Sequence, residues 1–184
     1  MKNIIAALTL SDNRNKRRML LAGLLLTALL MLSVSCLKKD KFPDTPAIQF
    51  VSFTKIQNAT GVDNKGILKI SFTDGDGDIG LTQGDTLPPF NIGSQWYYNF
   101  FITYYERQHG ILKKIDLPFT NNSRIPPLSN SGSTKPIKGE IAIELYINNP
   151  LSSFDTIAFE AGICDRALNV SNNILTPDIV VKKR

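Results

Sequence analysis

From Ala47 onward, apolar and polar side chains alternate in short runs broken by Gly, Pro, Asn and Asp. The clearest run is 140–147, where Ile141, Ile143, Leu145 and Ile147 fall on one side and Glu140, Ala142, Glu144 and Tyr146 on the other. Successive side chains of a strand point to opposite faces, so this run predicts a strand with one face in a core and one in water. The same pattern predicts strands over 48–55, 66–73 with Leu68, Ile70 and Phe72 inward, 96–108, 111–117, 156–165 and 174–181. Arg107-Gln108-His109-Gly110 between two of them reads as a hairpin turn, with the histidine as a solvated loop residue. No 3.6-residue period is sustained in this region. The expected fold class is therefore all-β, an antiparallel β-sandwich of about seven strands over 47–184.

The first residues follow a different pattern. Met19 to Leu32 is a run of fourteen residues without a charge, preceded by Lys16-Arg17-Arg18. A membrane-spanning helix needs about 20 apolar residues, so the run is short for a permanent span and has the length of a secretion signal. It ends in Ser33-Val34-Ser35-Cys36, which resembles the lipobox of bacterial lipoproteins, although Ser33 stands where that family most often has leucine. The resemblance implies that 1–35 is a cleaved signal peptide, that Cys36 receives a covalent lipid and becomes the first residue, and that its new amine is acylated as well. Two or more acyl chains hold a protein firmly to a bilayer where one does not. The implied location is the cell envelope, in the outer membrane, with the facing left open. Residues 36–46, with Lys38, Lys39, Asp40, Lys41, Pro43 and Pro46, read as an extended tether.

Charge then removes one class of function. The sequence pI is 9.2, but the signal region holds Lys2, Arg14, Lys16, Arg17 and Arg18 against Asp12 alone. Without them, the 21 basic and 16 acidic residues become 16 and 15. A nearly neutral mature chain lacks the basic face that neutralises phosphates, so no nucleic-acid partner is expected. The two cysteines are Cys36 and Cys164; with one carrying lipid there is no disulfide framework, and Cys164 in its apolar run reads as a small buried hydrophobe.

Asp74-Gly75-Asp76-Gly77-Asp78-Ile79-Gly80 carries the strongest chemical signal. Three carboxylates in five residues repel unless a cation or water separates them. Hard Ca²⁺ takes six to eight oxygens, and such loops supply several from one short segment. Counting Asp74 as one, Asp85 falls at position twelve, where an EF-hand has its bidentate acid. Ile79 at position six and the preceding strand reject an EF-hand proper. A Ca²⁺-binding β-loop of Asp74, Asp76, Asp78 and Asp85 remains, beside the reading that Asp and Gly are simply good turn formers.

This loop, together with Cys164-Asp165-Arg166-Ala167-Leu168-Asn169-Val170-Ser171-Asn172, resembles a group of envelope lipoproteins with immunoglobulin-like sandwiches. The resemblance implies fold and location only, because the group has no established activity. No catalytic residues are expected: His109 is the single histidine, no G-x-S-x-G elbow occurs, and Glu140 and Glu144 on one strand stand roughly 13 Å apart, beyond glycosidase separations. Within 96–108, Tyr97, Phe101 and Tyr105 line the face opposite Trp96, Tyr98, Phe100, Ile102 and Tyr104. They form a ligand face if exposed, or lie under the long 118–136 segment. The expected function is a non-enzymatic, membrane-anchored binding or scaffolding lipoprotein with Ca²⁺ as candidate cofactor and an envelope protein or glycan as partner. The alternative is a carbohydrate-binding lipoprotein of a glycan-uptake system.

Overall fold

The computed structural model describes residues 16–24, 41–128 and 135–183, and the chain divides into two compact units, Met1–Lys39 and Asp40–Arg184. In the first unit, 16–24 is a helix with Met19, Leu20, Leu21 and Leu24 exposed. No helix among the described residues is long and apolar enough to cross a membrane. The remainder of the expected signal peptide, Cys36 and the expected tether as far as Asp40 lie outside the described residues.

The described residues of the second unit form a β-sandwich of eight strands: β1 (Ala47–Gln57), β2 (Asp63–Asp74), β3 (Phe100–Gln108), β4 (Ile111–Lys114), β5 (Ile137–Tyr146), β6 (Thr156–Ile163), β7 (Ile174–Leu175) and β8 (Ile179–Val180). One antiparallel sheet has the order β1-β2-β5, and the other runs β4-β3-β6-β7 with β8 also on β6. The chain crosses between sheets after β2, after β4 and after β5, as in an immunoglobulin-like sandwich. Seven strands become eight because Pro177 interrupts the last one; the Thr176 hydroxyl there accepts the Phe159 amide at 3.0 Å, standing in for a ladder bond.

Alternation decides what faces inward. On β2, Gly66, Leu68, Ile70, Phe72 and Asp74 are buried and the residues between them are not. On β3 the inward row is Phe100, Ile102, Tyr104 and Glu106. A bulge at Val51 reverses the parity of β1, so that Ile48 and Phe50 face the core before it and Phe53 after it, where the Phe53 ring stacks on Phe159 at 5.8 Å. β5 keeps the predicted alternation, with Leu145 and Ile147 fully buried, while Ile141 and Ile143 are half-buried because the strand lies at a sheet edge. The β3–β4 hairpin closes through His109 and Gly110 alone, with φ of 53° and 83°, the positive pair that a two-residue turn matching the strand twist requires.

Two expectations change. Strand β3 begins at Phe100 rather than Trp96, because 94–97 is a turn in which the Tyr97 amide donates to the Ser94 carbonyl at 3.2 Å. Residues 41–46 belong to the domain rather than to an extended tether: Pro46 is buried, and the Phe42–Pro43 backbone packs on Gly75. The described part of the 118–136 segment is anchored, since Ile125 enters the core and Ser123 pairs with Phe100; 129–134 lie outside the described residues.

Fully buried Ile70 sits at the centre of this core. Ile70→Ala is expected to cost about 2–5 kcal/mol in urea unfolding, and Glu144→Gln, on the outer face, within about 0.5 kcal/mol.

Candidate metal centre

The inward row of β2 ends in a carboxylate. Asp74 follows Phe72 at period two, so strand geometry turns it into the interior, where it is fully buried. The chain then turns through Gly75 and Gly77, presenting Asp76 and Asp78, and Ile79, 1% exposed, pins the loop to the core. From the other sheet, β6 leads through buried Cys164 into Asp165, 1% exposed. One ligand atom from each of Asp74, Asp76, Asp78 and Asp165 lies within 4.8 Å of the others, so the group can hold a metal ion.

Hydrogen bonds fix the carboxylates only in part. Asp165 accepts the Asn169 amide at 2.7 Å and its side-chain NH₂ at 2.8 Å, closing the 165–169 turn. Asp78 accepts the Ala167 amide at 3.1 Å. Oδ1 of Asp74, of Asp76 and of Asp78 is buried with no hydrogen-bond partner. Burial, followed by repulsion from Asp76 and Asp78, pushes the Asp74 carboxyl up to about 7. Asp78 and Asp165 are raised as well, again chiefly by burial. Three orphaned oxygens and three carboxyls resisting ionisation describe a site short of positive charge. A bound cation reverses both effects. The donors are all carboxylate oxygens, which suit a hard ion; the neighbouring Cys164 thiol, pushed up to about 12 by burial, is no thiolate ligand.

Asp85, expected as the fourth ligand, is not in the cluster; Asp165 takes that place. Ile79 and Leu81 enter the core and carry the chain away, and the Leu81 amide donates to the Ile125 carbonyl at 2.8 Å. Asp85 is instead gripped by both Arg166 Nη atoms at 2.8 Å each and by the Thr82 amide at 2.6 Å, and these hydrogen bonds, Arg166 first, hold it far below the usual carboxylate range. It acts one layer out, because Arg166 follows Asp165 directly and also donates to the Gly80 carbonyl at 3.3 Å. Asp165 lay in plain view in the sequence, as the first acid after the most apolar strand. Nothing in its spacing connected it to a loop some ninety positions earlier.

The expected aromatic face does not assemble. Tyr97, off the strand, lies 5.0 Å beneath the Arg124 guanidinium and edge-on to Tyr98 at 4.9 Å. Phe101 and Tyr105 do occupy the outer side of β3, half-buried: Trp96 meets Phe101 edge-on at 6.4 Å, and the Tyr105 hydroxyl donates to Glu160 at 2.6 Å. No protein-family model matches the chain, and no curated protein and no solved structure matches it. The function has to be argued from the site. Of the acids considered for catalysis, Glu140 and Glu144 pair across the sheet with Lys69 and Lys65 at 3.1 and 2.6 Å, and His109 stands at a hairpin tip against Phe154.

Metal-free, the cluster makes stability depend on pH. Below about pH 4 Asp74 is protonated in both folded and unfolded chains; between there and about pH 7 the unfolded chain releases its proton first, so stability falls as pH rises through that window. Acids held low, such as Asp63 and Asp85, lose their stabilising effect only below the window. The melting temperature in metal-free buffer is therefore expected to drop from pH 5 to pH 7.5, and calorimetry of Asp74→Asn should show the slope reduced.

Proposed function

We propose that this chain is a lipid-anchored envelope lipoprotein whose non-enzymatic β-sandwich binds or scaffolds an envelope protein or glycan, and that one Ca²⁺ at Asp74, Asp76, Asp78 and Asp165 stabilises the domain. The observation that carries the metal reading is the buried, unpartnered Asp74 Oδ1 in a group of four converging carboxylates. Ca²⁺ fits the donor set, because each carboxylate supplies one or two oxygens and together they approach the six to eight this ion takes. Joining the end of one sheet to the end of the other is a structural role for the ion, which favours stabilisation over chemistry. The anchor rests on the Ser33-Val34-Ser35-Cys36 motif and the apolar run before it. Glycan binding draws no support from Tyr97, Phe101 and Tyr105, whose rings and hydroxyl are already engaged.

An ion that binds only the folded domain stabilises it by about 2.7 kcal/mol at a hundredfold excess over Kd. At about 2–6 °C per kcal/mol, the melting temperature in Ca²⁺ is expected to exceed that in chelator by several degrees. Asp76→Asn and Asp165→Asn should each shrink the shift, whereas Asp85→Asn should lower the midpoint and keep the shift. Identical melts with chelator and with millimolar Ca²⁺ would end the metal reading. For the anchor, Cys36→Ser is expected to abolish palmitate labelling and leave the precursor mass; a labelled variant would refute it.

A further inference from the structure

Gly75 lies between two of the proposed ligands, Asp74 and Asp76, and its missing side chain is where the N-terminal arm 41–46 rests. A Cβ there would overlap the Phe42 carbonyl oxygen and stand 2.7 Å from the Pro43 carbonyl carbon and oxygen. Among the described residues the arm makes no hydrogen bond to the domain, so it is seated by packing alone: Phe42 half-buried, Pro46 buried, and the backbone between them against Gly75. The loop under it is the segment most strained by charge, with Asp74 Oδ1, Asp76 Oδ1 and Asp78 Oδ1 unpartnered. Whatever holds these carboxylates together also holds the Gly75 surface in place.

We infer that the cation site, on the reading that Ca²⁺ binds there, is a lock for the chain's own arm: with Ca²⁺ bound the arm is docked on Gly75, and without it the loop spreads and the arm is released. Mutual repulsion of the ligands supplies the opening force, and the ion removes it. Gly77, the next spacer, backs on the Lys135 carbonyl in the same way, so spreading of the loop loosens the entry to β5 as well. Release of 41–46 adds roughly 20 Å of extended chain between Cys36 and the sandwich. Envelope Ca²⁺ would thereby set how far the domain reaches from its anchor.

The test uses the full lipidated chain carrying Asp44→Cys with a nitroxide label; Cys164 is buried and escapes labelling in the folded protein. Added Ca²⁺ is expected to slow label motion several-fold relative to chelator, along the same titration curve as the melting shift. Gly75→Ala should keep the melting shift, because the ligands are intact, while the label stays fast in Ca²⁺. A melting shift with label motion unchanged by Ca²⁺ overturns the lock and leaves the metal reading standing. An absent melting shift overturns both. Parent-like label behaviour in Gly75→Ala also overturns the lock, since the arm would then not depend on that contact.

Discussion

Because every second side chain of a strand faces the same way, the row that fills the core of β2 cannot stop being inward at the strand's end. Leu68, Ile70 and Phe72 build the interior, and the next member of the row is Asp74. A carboxylate is thus delivered to a buried position by the geometry that packs the apolar residues before it. The loop, the partner sheet and the arm are arranged around that charge.

β2 carries a buried aspartate at each end, and the two are treated differently. At the first, Asp63 accepts Lys55 Nζ at 2.6 Å and the Lys182 amide at 2.8 Å; burial opposes its ionisation, but these bonds outweigh it and hold the carboxyl low. The C-terminal strand is fastened to the sandwich there. At the other end Asp74 meets three further carboxylates and is pushed up. A third buried acid, Glu106, shows the same economy as Asp63: Ser152, Asn149, Gln108 and Tyr104 all donate to it, tying the 149–152 turn to β3. Glu106 is satisfied on both oxygens from within the chain and Asp63 on Oδ2, its Oδ1 being buried without a partner; among the described residues the cluster differs in bringing several such unpartnered carboxylates together without a cation of the chain's own.

That difference explains why so many segments converge on one short loop. The turn after β6 reaches it through Asp165 and the Ala167 amide, Arg166 brings Asp85 alongside, and the arm and Lys135 rest on its glycines. An ion placed there would bridge sheets that hydrogen bonding otherwise joins only locally, as where Asn172 caps Ile48 of β1 with two bonds of 2.9 Å. Stability and arm position are then coupled through one set of ligands.

The alternation of Ile141, Ile143, Leu145 and Ile147, and of Leu68, Ile70 and Phe72, was legible because period two is a local property of the chain. So were the hairpin at His109-Gly110 and the three aspartates of the loop, whose crowding follows from spacing alone. Fourteen uncharged residues running into Ser33-Val34-Ser35-Cys36 are likewise a feature of the sequence itself. The extra eighth strand, the Val51 bulge and the late start of β3 were not legible, since each depends on which neighbour offers a ladder partner. Nor was the exchange of Asp85 for Asp165: counting along the chain treats a loop as closed on itself, whereas here buried Ile79 and Leu81 redirect it and the fourth carboxylate arrives from the opposite sheet. Sequence by itself determined most of the strands, the inward rows of β2 and β5 and a crowd of negative charge at one loop. Which acids share that site, and which part of the chain rests on it, was decided only when two sheets distant in sequence packed face to face.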